Sequence, residues 1–501
     1  MKRVTAAAII CLAMLLCLAF APFAAMAQNV VTYHNAPDRS GLYTVPGLTV
    51  TAAANLHLDA GFSATVSGNV YAQPLYWQPP GAATGLVIVA TESNLVYGLN
   101  ANTGAQVWKT QLIRSAPLSS LGCGNIDPEG VTGTPVIDPA TGTLYLDAMQ
   151  LTGNNLPRQR IYALSAATGK VLAHWPLDVD NLMNASGAPF TFDSSVQGER
   201  SALQFFNGKL YVNYAGRYGD CGPYHGTVIE FDPTKRTITG SWQTGATGGG
   251  IWAQGGVASD GTSLYATTGN TYTSGTWQDG EAVIRLLPGL AHSANTADYF
   301  TPSDWLTLDN NDQDLGGSEA LPFTVPTPPS GTVSRVLALG KDGHAYLLDA
   351  ANLGGISAGL ANVQVSNSVI ITEPTIYHRS NETQIAFTNF NGSQANCSGN
   401  NLTMLRVTAA GTSPLKIVWC APISGGGAPI TTTSNGAANP IVWVLGAQGD
   451  NQLHGFNAIS GATVFNGGGI TLNGLHNFGT LIAANGHLYV AADGTVYAFT
   501  F

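Results

Sequence analysis

One sequence unit returns along this chain: a short apolar-alternating strand that ends in a Thr-Gly or Ser-Gly turn and is followed by a tryptophan. The clearest copy runs from Tyr97 through Asn102-Thr103-Gly104 to Trp108. The next runs from Tyr162 through Thr168-Gly169 to Trp175, and looser copies lie at Val228–Asp232 with Trp242, Tyr346–Asp349, Gly455–Gly461 and Val496–Phe499. Intervals of roughly 45–65 residues are those of four-stranded β-propeller blades with variable loops. Each unit makes local sense. Alternation puts Tyr97 and Leu99 on one strand face, glycine supplies the positive φ of the turn, and the tryptophan can pack on a neighbouring blade.

Composition fits an all-β chain. Only 10% of the 501 residues are charged, against 60 glycines and 26 prolines, the balance of many short strands joined by turns. A net charge of −10 argues against a nucleic-acid partner, which would want a basic face. Lys2 and Arg3, an apolar run over 6–20 and Ala25-Met26-Ala27 predict a cleavable signal peptide over 1–27, hence a secreted or periplasmic protein. No later segment is apolar for long enough to span a bilayer. The remaining cysteines are Cys123, Cys221, Cys397 and Cys420. Three pairings are open; the most local choice joins Cys397 to Cys420 and leaves Cys123 with Cys221.

Blades are expected at about 66–112, 131–179, 200–245, 251–300, 314–355, 369–422 and 427–468. Residues 478–501 hold three further strands. The strand-like Leu56–Val66 is free to supply the fourth, and closure through it would remove an exposed sheet edge. The expectation is one all-β domain over 28–501, an eight-bladed propeller closed by an N-terminal strand in its last blade.

The Tyr-Ala-Leu-x-Ala-x-Thr-Gly-x-x-x-Trp repeat resembles that of pyrroloquinoline quinone (PQQ) dehydrogenases, which are eight-bladed quinoproteins. It is similar, more closely still, to secreted PQQ-like propellers of unsettled function, through Tyr33-His34-Asn35, Tyr71–Tyr76, Gly130–Asp138, Gly222–Gly226 and Asp298–Pro302. The resemblance implies a site. Trp252, after Gly249-Gly250, stands where the enzymes stack the quinone. Asn270, in Thr268-Gly269-Asn270, stands where they take a metal ligand. In Asp309-Asn310-Asn311-Asp312-Gln313-Asp314, Asp312 would be the catalytic base and Asp314 a further ligand. Asp220 is the candidate acidic ligand of the third blade, although its spacing is not the family's. Lys341 stands where the enzymes carry a quinone-contacting cation, and Arg200 is a second candidate cation. The implied cofactors are PQQ and calcium, without haem or nucleotide.

Other features oppose catalysis. The vicinal cysteine pair of many alcohol-oxidising members is absent, and no Cys-x-x-Cys-His motif is present, so an enzyme would need an external electron acceptor. Trp252 also suits inter-blade packing, Asn270 a turn, and the acidic segment a solvated loop. Three functions follow. The leading one is a binding module that presents its channel mouth to a small molecule, glycan or protein. The second is a PQQ- and calcium-dependent alcohol or sugar dehydrogenase with Asp312 as base. The third is a hydrolase or lyase using Asp220 and His225.

Overall fold

The computed structural model describes residues 28–273, 275–390 and 401–501. The predicted signal peptide lies outside the described residues, as does Cys397 of the second expected disulfide. Eight sheets follow one another along the chain. The first holds Leu75–Trp77, Leu86–Ala90, Leu95–Asn100 and Gln106–Gln111 in consecutive antiparallel order, and its plan recurs around the ring. The fold is an eight-bladed β-propeller.

The repeat spans two strands of a blade. Tyr97 lies on the third strand of its blade and Trp108 on the fourth, the outermost. The recurring spacing has a mechanical reason visible at two blade interfaces. The Trp108 Nε1–H donates to the Ala166 carbonyl of the next blade at 3.1 Å, and its ring covers Gly169. Gly169 sits at φ +69°, and a Cβ there would come within 2.4 Å of the indole. Trp419 repeats the contact, donating to the Ala458 carbonyl at 2.8 Å and covering Gly461. The Thr-Gly turn of one blade is therefore the seat for the tryptophan of the blade before it.

The last blade is closed as expected. Ile482–Ala484, His487–Ala492 and Thr495–Thr500 form its inner three strands. His57–Leu58 and Ala64–Thr65 pair antiparallel with Thr495–Thr500 as the outer edge. One blade limit differs from the sequence expectation. The fifth blade ends with Ala361–Gln364, beyond 355, because Gly355–Ser357 leaves it to pair in parallel with Tyr299–Pro302 of the fourth blade.

The other departure is the segment 30–45, which threads the inner edges of the blades. Val30 bridges Tyr76, the Val31 carbonyl accepts from Ile137 N–H, the Pro37 carbonyl from Ser259 N–H, and the Ser40 carbonyl from Ile376 N–H. Leu42–Thr44 then adds as a parallel strand to the innermost strand of the seventh blade, Ile430–Thr433. Backbone groups that would otherwise stay unpaired on the channel side are satisfied in this way. Arg39 is fully buried among them, with Nη1 on Thr32 Oγ1 at 2.6 Å and Nη2 on the Leu203 carbonyl at 3.1 Å.

Cys123 and Cys221 form a disulfide with Cα atoms 5.7 Å apart, tying the loop after the first blade to a loop of the third. No helix among the described residues is long and apolar enough to cross a membrane.

Candidate functional site

A cavity of about 690 Å³ opens at the channel mouth. All seven candidate site residues line it: Asp312, Trp252, Lys341, Arg200, Asp220, Asn270 and Asp314. A smaller chamber of about 200 Å³ shares Arg200 and Phe478 with it and continues to Tyr71 and Gln254.

Backbone geometry explains how the acidic segment reaches the cavity. A short helix, Trp305–Asn310, presents Asp309 to the turn after the second strand of the fourth blade. Its carboxylate accepts Thr271 N–H at 2.6 Å and Thr271 Oγ1–H at 3.1 Å. Asp309 thus clamps the turn carrying Asn270 and does not line the cavity. Asp312 follows in the left-handed region, at φ 53°, which swings the chain back so that Asp314 meets the same turn. There Asp314 accepts the Asn270 N–H at 2.9 Å.

Lys341 joins the two carboxylates. Its Nζ is 2.6 Å from Asp314 and 3.0 Å from Asp312, and 5.2 Å from the centre of the Trp252 ring. Asp314 is buried while the Asp312 side chain is 76% exposed, so only the outer carboxylate is open to solvent. Burial disfavours the Lys341 ammonium, but Asp314 and Asp312 outweigh it and hold its pKa above the ordinary value. Burial raises the Asp314 pKa, opposed by Lys341 and by the Asn270 N–H. Beneath this group the fully buried Glu281 accepts Leu315 N–H at 2.6 Å, and burial followed by repulsion from Asp314 pushes its carboxyl well up.

The opposite wall is built from the third blade and the loop before the second. Arg217 makes a two-pronged ion pair with Glu129, at 2.9 and 3.1 Å, with both side chains buried. Arg200 is placed differently, donating through Nη2 to Asn125 Oδ1 at 3.2 Å, which leaves a guanidinium on the cavity wall. Asp220 contacts the Tyr224 and Tyr272 hydroxyls; burial and this carboxylate push the Tyr272 phenol up to about 12. Tyr218, 70% exposed, stands at the rim.

Sequence reasoning missed Glu129 with Arg217, Glu199, Tyr224 and Phe478. Of these, Glu129 and Glu199 carried a legible signal, since each is a carboxylate just before an expected blade start in a chain with few charges. His225 does not belong to the site: it stacks on Phe190 at 3.6 Å and its Nδ1 meets the Thr244 carbonyl at 2.7 Å. The Asp220–His225 arrangement for a hydrolase or lyase is therefore not formed.

The residues fit one of the two implied cofactors. A tryptophan lining an open cavity between two cations suits a flat anionic ring system. A calcium ion needs six to eight oxygens, and the donor set here does not provide them. Both Asp314 oxygens already have donors, and no group of three His, Cys, Asp or Glu able to hold a metal occurs among the described residues. The expectation of calcium ligation by Asp220, Asn270 and Asp314 finds no cage.

This eight-bladed fold is similar to that of several solved dehydrogenases. Its solved neighbours include the quinohemoprotein alcohol dehydrogenase of Comamonas testosteroni, with a TM-score of 0.64 and 15% identity over 94% of this chain and 80% of that one. Quinohemoprotein alcohol dehydrogenase ADHIIG from Pseudomonas putida HK5 gives 0.63 and 12% over the same shares. A europium-containing methanol dehydrogenase gives 0.61 and 13% over 95% of this chain and 98% of that one. At such identities the likeness is one of fold. No family model and no curated protein matches the sequence.

Proposed function

We propose that the protein is an exported binding propeller whose channel-mouth cavity takes a planar, multiply anionic quinone of the PQQ class. The observation that carries this reading is the placement of the Lys341 ammonium 5.2 Å from the centre of the Trp252 ring, inside a cavity of about 690 Å³. Trp252 would offer a stacking face. Lys341 and Arg200 would receive carboxylate or quinone oxygens, where charge-assisted hydrogen bonds are strongest. The signal-peptide pattern and the disulfide support export to an oxidising compartment.

A second reading, oxidation of an alcohol or sugar, is favoured by Asp312. Its exposed carboxylate beside Lys341 can accept a proton from a hydroxyl brought into the cavity. A bound quinone would supply the two-electron acceptor that the side chains lack, with an external partner needed to reoxidise it.

Titration of the exported chain with PQQ, followed by quenching of tryptophan fluorescence, tests the binding reading. One-to-one saturation is expected, weakened at least about tenfold by Trp252→Ala. Absence of saturable quenching overturns it. Dye reduction with primary alcohols and sugars, lost in Asp312→Asn with binding kept, would establish the second reading.

A further inference from the structure

We propose that Lys341 replaces the metal ion at this site, so that the cavity holds its planar anion without any divalent cation beside it. The inference deepens the reading above and rests on it for the identity of the anion. It stands independently on how the carboxylates are used.

A metal competes for carboxylate oxygens, and here Lys341 already holds one oxygen of each carboxylate. Asp314 presents one oxygen to Asn270 N–H at 2.9 Å and the other to Lys341 at 2.6 Å. Asp312 presents an oxygen to the same ammonium at 3.0 Å. Lys341 comes from a Gly340-Lys341-Asp342-Gly343 turn whose backbone is fixed to the acidic segment, since Lys341 N–H donates to the Asp314 carbonyl at 2.9 Å. The side chain is thus held to Asp314 through both its ends. A dication bound to the same Asp314 oxygen would have to displace the ammonium that holds it at 2.6 Å, against charge repulsion.

The substitution makes an unusual prediction: deleting the cation should create metal affinity. Without Lys341, Asp312 and Asp314 become two like charges beside the Asn270 turn, with Asp220 on the facing wall. Terbium(III), whose luminescence is sensitised by nearby tryptophan and tyrosine, is the probe. After treatment with EDTA, the wild-type chain should give no saturable signal at micromolar Tb³⁺. Lys341→Ala should give one that saturates at a single equivalent, and Lys341→Ala with Asp314→Asn should lose it. Lys341→Met, which keeps the length of the stem, serves if truncation unfolds the blade by circular dichroism.

Stoichiometric Tb³⁺ binding to the wild-type chain that vanishes in Asp314→Asn overturns the proposal, as does failure of both Lys341 variants to gain a signal. In parallel, PQQ affinity of the wild-type chain should be the same in EDTA and in millimolar Ca²⁺. Calcium-dependent PQQ binding would refute the metal-free site while leaving the quinone reading intact. No PQQ binding in either buffer would refute the quinone reading, and the terbium result would still decide the role of Lys341.

Discussion

The buried Glu129–Arg217 pair offers the sharpest test of how the cavity wall is held. Both side chains are almost wholly withdrawn from solvent, 3% exposed for Arg217 and 9% for Glu129, and two N–H···O contacts of 2.9 and 3.1 Å join them. A pair of this kind is costly to break and cheap to replace. Glu129→Ala leaves a guanidinium buried without a counter-charge, whose penalty is about 3–5 kcal/mol. Replacing both partners with apolar residues of similar size, as in Glu129→Leu with Arg217→Met, removes the stranded charge and should be close to neutral. Unfolding entropy near 2 cal/mol/K per residue gives a ring of this length about 1 kcal/mol/K, so the single variant should lose roughly 3–5 °C in Tm. Calorimetry on the wild type, both single variants and the double variant completes a cycle. A Glu129→Ala shift below about 1 °C, or a double variant worse than either single one, would refute the assignment of this pair as a desolvated, mutually dependent strut.

Three further outcomes follow from other parts of the ring. Trp108→Ala should cost about 3–5 kcal/mol in chemical denaturation, through loss of its bond to Ala166 and its seat on Gly169. The Cys123–Cys221 crosslink closes a loop with a sequence separation of 98, so Cys123→Ser with Cys221→Ser should cost up to about 5 kcal/mol, seen as a fall in Tm that reduction of the wild type reproduces. Burial lifts the Glu92 pKa to about 8, against the pull of Gly130 N–H. A carboxyl raised on folding stabilises fully below its unfolded pKa, and that stability is lost as pH rises through the folded value. Tm should therefore fall between pH 5 and about 8, and Glu92→Gln should flatten that slope.

Most of the ring was legible because its grammar is local. A strand, a Thr-Gly turn and a tryptophan repeat at blade intervals, and the interlock of Trp108 with Gly169 shows why the three travel together. The closing strand near Leu56–Val66 was legible by elimination, since the last blade lacked one. The segment 30–45 was not. Its strand residues Leu42–Thr44 pair with residues almost the whole chain away, and nothing in their own pattern names that partner. For the site, resemblance located every lining candidate, yet it could not tell a ligand from a clamp. Asp314 carries its carboxylate to a backbone N–H and a lysine, and that choice depends on rotamers and on a turn from another blade.

The threading of residues 30–45 has a consequence in time. Leu42 pairs with Thr431 and His57 with Thr500, so these early residues must wait for the last to be made. Seven blades can assemble by neighbour-to-neighbour contacts, such as the docking of Trp108 on Gly169 and of Trp419 on Gly461. The eighth cannot, and the inner edge of the seventh stays open until the N-terminal segment returns. Contacts that bridge such separations form late and slowly. Until then the nascent ring exposes strand edges on its inside and outside alike. The completed molecule is sealed by one stretch of chain at two radii, like a belt passed through its loops before it is buckled.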